Sequence, residues 1–147
     1  MTSPATPDTF DGLLREVMAD AERFGHRQHV RLTWLAVRRH GAPAALDLVG
    51  EGIRRTATKA GAPQKFHVTM TRAWVELVAS HADDSRTDGD RPDDATAFER
   101  FAARHPELLD KDLLARHYRP QTLAGERART AWVEPDLAPF PRRAQPS

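Results

Sequence analysis

The sequence predicts an all-α fold: a single-domain bundle of four longer helices closed by short C-terminal helical turns. Three observations lead there. Apolar residues recur with a helical period, no stretch sustains the alternation of a strand, and glycine and proline punctuate the periodic runs where helices should end. A chain of 147 residues that is 39% hydrophobic can bury one core and is too apolar for a disordered segment. We therefore expect one domain over 8–140, with disordered tails at 1–7 and 141–147.

The first helix is expected from about Thr9 to Arg23, capped by Asp8 or Thr9, with Phe10, Leu13, Leu14 and Met18 as its apolar stripe. Gly25 should break it. A second helix follows from about His26 to His40, ending where Gly41 supplies a left-handed residue. Pro43 suits the first turn of a third helix that reaches Ala60. In that helix Leu46, Val49, Gly50, Ile53, Ala57 and Ala60 share a face, and the small Gly50 and Ala57 should admit a close neighbour. Gly61 and Pro63 end it, and a fourth helix should run from about Lys65 to Ala82.

The stretch 83–93 (DDSRTDGDRPD) has no apolar residue and reads as a mobile surface loop. Asp94 can cap a fifth helix that packs Ala97, Phe98, Phe101 and Ala102 and stops at His105-Pro106. Short turns are expected at Pro106–Asp110, Asp112–Tyr118 and Pro120–Thr130. The proline-rich end should be stapled to the core by Leu137 and Phe140, with Trp132 packing the tail.

Composition narrows the function. A net charge of +1 gives no field that would draw the chain to nucleic acid or an anionic membrane. No apolar run approaches the roughly 18 residues of a membrane span. Residues 1–10 lack the apolar centre of a secretory signal, so the expected location is cytoplasmic. Without cysteine, any metal would be held by histidine and carboxylate alone. The expected partner is a small-molecule substrate, with homodimerisation left open.

Histidine placement is the most informative feature. On a helical wheel of about 100° per residue, His29, Thr33, Val37, Val30 and Trp34 all fall within about 80° of His26, away from the arginine face. In the fourth helix Met70, Thr71, Trp74, Leu77, Val78 and His81 fall within about 80° of His67. His67 is central on its stripe and in the first turn, where the helix dipole and desolvation disfavour imidazolium.

Three readings follow. In the sharper one, His26, His29 and His67 converge on one divalent ion, zinc or iron, with an open fourth position. His67 and Thr71 would then be catalytic, Trp34 and Trp74 would wall the pocket, and His117 and Tyr118 would reach it from the C-terminal turns. A bound metal would lower the pKa of its water for hydrolytic, lyase or isomerase chemistry. A metal-free variant would use His67 as general base with His29 as its partner. Haem with one axial histidine is a third reading. In the blander one these are core histidines of a non-enzymatic binding or regulatory domain. His81 then belongs to a helix end and His105 to a helix stop. No H-E-x-x-H, G-x-S-x-G, P-loop or G-x-G-x-x-G is present.

The segments Phe24-x-His26-x-x-His29-Val30 and Phe66-His67-x-Thr69-x-Thr71-x-x-Trp74 resemble the motifs of a small bacterial family, [FW]-x-H-x-x-H-[LV] and [YF]-H-x-T-x-T. His105-Pro106-Glu107-Leu108-Leu109-Asp110 and Trp132-Val133-Glu134-Pro135-Asp136-Leu137 are similar to its later segments. The resemblance covers about residues 24 to 140. That family carries no settled activity, so the resemblance implies that these segments belong together and transfers no mechanism.

Overall fold

Thr9 starts the first helix. Its backbone is extended and its hydroxyl accepts from the Gly12 amide at 3.0 Å, satisfying one of the otherwise orphaned first-turn donors of α1 (Phe10–Met18). The structure is a computed structural model, described here over residues 9–19, 21–82 and 94–140. The expected tails 1–7 and 141–147 and the expected loop 83–93 lie outside the described residues. α1 stops at Met18 rather than near Arg23; beyond Met18 the sequence offers no large apolar side chain before Phe24.

The second helix, α2 (His26–His40), begins where expected, with the Gln28 side chain reaching back to accept from the Gly25 amide at 3.0 Å. It is the central helix, packed against α1, α3 (Ala42–Lys59), α4 (Val68–Ala82) and α5 (Asp94–Arg104). Consequently Leu32, Thr33, Trp34, Leu35 and Ala36 are all buried in succession. A single apolar stripe is therefore the wrong description of α2. It ends at Gly41, whose φ of 86° and ψ of 163° lie in a region that is essentially glycine's alone.

Pro43 occupies the first turn of α3, where its missing amide has no partner to lose. The face that α3 buries is offset from the expected one. Ala42, Ala45, Val49 and Gly52 are buried, while Leu46 and Ile53 are partly covered. Nothing lies within 4 Å of where a side chain on Gly50 would start, so the close approach expected there occurs at Gly52 instead. A Cβ at Gly52 would sit 2.2 Å from the Phe10 ring. This contact seats α1 on α3.

After Gly61 (φ 75°) a 3-10 turn, Pro63–Lys65, leads to α4, which starts at Val68, later than the expected Lys65. Pro63 and the extended Phe66 (ψ 131°) delay the helix. In α5, Ala97, Phe98, Phe101 and Ala102 are buried as the periodicity predicts, and the Trp34 ring packs on Phe98 and Phe101 with centroids 5.6 and 5.8 Å away. Two 3-10 turns (Pro106–Leu109 and Leu113–Arg116) and two short helices, α6 (Pro120–Ala124) and α7 (Glu126–Thr130), complete the bundle.

Residues 131–140 run back over the bundle as an irregular strap. Thr69 of α4 ties it down, its hydroxyl donating to the Ala131 carbonyl at 2.8 Å and accepting from the Val133 amide at 3.1 Å. Phe140 packs on His117 and Tyr118, as the staple idea expects, but Leu137 is 50% exposed and staples nothing. It is the Leu137 amide that holds, donating to the His117 carbonyl at 2.9 Å. Among the described residues there is no strand, and no helix is long and apolar enough to cross a membrane.

Candidate functional site

A cleft of about 680 Å³ opens between α1, the C-terminal half of α3, the 3-10 turn and the start of α4. Phe10 and Leu14 reach it from α1, Ile53 and Ala57 from α3, and Met70, Thr71 and Trp74 from α4. The histidines singled out by the sequence, His26, His29 and His67, all line it. Helical spacing explains this: α2 presents His26 and His29 one turn apart, and α4 presents Thr71 and Trp74 one turn apart beyond His67.

The three histidines share a cleft but not a point. His26 Nε2 donates to the Leu108 carbonyl at 3.0 Å, and its ring meets the edge of Trp74 with centroids 4.6 Å apart. His67 is not inside the first turn of α4 but at its N-cap. There its Nδ1 accepts from the Met70 amide at 3.1 Å while its Nε2 donates to the Leu123 carbonyl at 2.8 Å. Both ring nitrogens of His67 are thus engaged, in the pattern of the Nε2–H tautomer, and its one ring lone pair, on Nδ1, is taken by the Met70 amide. The His26 and His29 rings are 6.2 Å apart. The three are not a group whose ligand atoms all lie within 4.8 Å of one another, the closeness that the expected His26–His29–His67 metal centre would need.

His29 is the exception. Its Nε2 is enclosed and has no hydrogen-bond partner among the described residues, although the residue as a whole is half-buried. Burial first, and then the neighbouring His26, push its pKa from 6.5 down to about 4. At neutral pH it is an uncharged imidazole with one N–H and one lone pair.

Other expected site residues lie elsewhere. Trp34 does not wall the cleft: it is fully buried on the opposite side of α2 against α5, with the Arg38 guanidinium 5.0 Å from its ring. His117 and Tyr118 do not reach the cleft either. His117 Nδ1 donates to the Ala138 carbonyl at 2.8 Å and Tyr118 Oη to that of Val133 at 2.6 Å, so both hold the strap. Burial, with Glu134 and Asp136 nearby, pushes the Tyr118 phenol well above its usual range, which keeps it a donor. Thr71 and Trp74 line the cleft.

Sequence reasoning missed Lys65, Lys111 and Phe66, which also line the cleft. Lys65 and Phe66 adjoin His67 and could have been read with it; Lys111 arrives from a distant turn and left no local signal. It also missed a second cluster. Among the described residues, His81, His105 and Glu107 form a set whose ligand atoms all lie within 4.8 Å of one another. Compared with known proteins, the chain matches no family, no curated protein and no solved structure.

Proposed function

We propose that this domain binds a small molecule with an apolar body and an anionic head, a monocarboxylate being the simplest case, in the cleft between α1, α3 and α4. The observation that carries this reading is the make-up of the lining. Phe10, Ile53, Phe66 and Trp74 supply apolar surface, exposed Lys65 and Lys111 supply the charge, and among the described residues no aspartate or glutamate contributes. Pockets of this kind hold a ligand through apolar contact and orient it through a few polar groups. His29, uncharged at neutral pH, would offer the ligand one hydrogen bond without a repelling or competing charge.

An enzymatic reading of the same cleft, with His67 as base, Thr71 positioning substrate and zinc or iron on the three histidines, has less support. His67 has no free nitrogen, and its proposed partner His29, with a pKa near 4, is poorly matched to proton transfer at neutral pH.

Titration of the full chain with indole-3-acetate and decanoate, beside their neutral amides, tests the proposal by amide chemical shifts. The expected result is saturable shifts at Ala57, Thr71 and Trp74, with the carboxylates tighter than the amides and weakening as salt rises. Lys65→Ala with Lys111→Ala should erase the preference, and Ala57→Trp should block binding. Equal binding of acid and amide, unchanged by the lysine substitutions, or no saturable binding, would overturn it.

A further inference from the structure

The geometry points to a divalent transition-metal site at His81, His105 and Glu107, separate from the ligand cleft. The three side chains come from the last turn of α4, the residue after α5, and the first turn of the 3-10 turn Pro106–Leu109. Pro106 fixes the backbone between the latter two, so His105 and Glu107 are presented side by side.

The donor set is two imidazoles and one carboxylate, a combination that zinc and iron(II) both accept and that leaves coordination positions for water. His81 is already oriented as a ligand would be. Its Nδ1 donates to the Leu77 carbonyl at 2.8 Å, with the Ser80 hydroxyl 3.1 Å from the same nitrogen. That bond leaves the Nε2 lone pair directed outward, the arrangement by which a carbonyl behind a metal-bound histidine fixes ring and tautomer.

Nε2 of His81 lies 3.7 Å from a Glu107 carboxylate oxygen. This is too long for a hydrogen bond and close to the separation of about 3.3 Å between two ligands of a tetrahedral zinc with bonds near 2.0 Å. The His105 ring stands 4.6 Å from that of His81 and 5.1 Å from that of Phe101, so one side of the site is dry. All three residues are half-buried, which makes the position reachable by an ion from solution. A bound cation would tie the ends of α4 and α5 to the turn that follows.

The test is calorimetric titration of the full, tag-free, chelator-treated chain with Zn²⁺ alone. The expected result is one equivalent bound and a raised melting temperature, with His81→Gln and Glu107→Gln each weakening affinity by at least about tenfold. His40→Ala, an exposed histidine outside the cluster, should change nothing. Because His81→Gln could perturb the helix end, X-ray absorption of the zinc-loaded native chain supplies an independent reading and should report two imidazoles and a carboxylate. No saturable binding, binding indifferent to both substitutions, or a coordination shell without two imidazoles would overturn the assignment.

Discussion

The imidazole of His26 and the carbonyl of Leu108, 82 residues apart in sequence, are joined at 3.0 Å. A carbonyl can only accept, so the proton sits on Nε2, and the start of α2 is fastened to the 3-10 turn Pro106–Leu109. The same ring covers the edge of Trp74. A histidine read as a ligand is therefore a clasp between distant segments.

Removing that clasp should destabilise the fold. His26→Ala deprives the Leu108 carbonyl of its donor and uncovers Trp74, and a loss of about 1 to 3 kcal/mol is expected from the unsatisfied group. His26→Gln, whose amide can still donate, should recover part of it. Urea unfolding followed by circular dichroism measures both, and a His26→Ala midpoint equal to that of the native chain would contradict the clasp.

His67 makes a comparable prediction with a sharper signature. His67→Ala removes both the N-cap of α4 and the bond to Leu123, whereas His67→Asn can keep the cap through its carbonyl oxygen. The alanine variant should lose about 1 to 2 kcal/mol and exchange its Met70 amide faster; the asparagine variant should protect that amide. Fast exchange in both variants would show that the imidazole is not the cap.

These two residues also indicate how far the sequence could be read. The helical content, the α2–α3 break at Gly41 and the core of α5 follow from local punctuation and period, and all are local facts. His26, His29, His67, Thr71 and Trp74 line one cleft and each wheel groups them on one arc, but the arcs are not uniformly buried: the three histidines are half-buried, Met70 beside His67 is exposed, and Thr69 outside that arc is buried. Where Trp34 points was not legible. α2 is covered on nearly all sides, so a buried arc does not say which neighbour covers it, and Trp34 faces α5 while His29 faces the cleft. Nor could the sequence reveal that the carbonyls of Leu108 and Leu123 take up two imidazoles. Those bonds join residues 82 and 56 positions apart and depend on tertiary packing alone.

His29 makes stability depend on pH. Its pKa is about 4 in the folded chain and 6.5 in the unfolded chain, so below pH 6.5 the unfolded state binds more protons. Stability is then unaffected by this group above pH 6.5, falls as pH drops from 6.5 towards 4, and levels off below. The size over that window is on the order of 3 kcal/mol. His29→Leu should flatten the curve between pH 6.5 and 4, measured as urea midpoints at a series of pH values. An equal slope in the variant would mean that other groups carry the dependence.

The two glycines of α3 lie two residues apart, on nearly opposite faces of the helix, and give opposite predictions. Both are helical, and replacing a helical glycine with alanine ordinarily stabilises by about 0.5 to 1 kcal/mol because the unfolded chain loses freedom. At Gly50 nothing lies within 4 Å of the added methyl, so Gly50→Ala should realise that gain. At Gly52 the methyl would stand 2.2 Å from two atoms of the Phe10 ring, which is itself buried and cannot swing aside into solvent. Overpacking of this kind typically costs about 1 to 3 kcal/mol and outweighs the gain in backbone entropy. Thermal unfolding should therefore raise the midpoint for Gly50→Ala and lower it for Gly52→Ala. The pair Gly52→Ala with Phe10→Leu separates steric conflict from a backbone effect: a smaller side chain at 10 relieves the clash, so the double variant should be less destabilised than the sum of the single ones. Additive losses would mean that the Phe10–Gly52 contact does not set the spacing between α1 and α3.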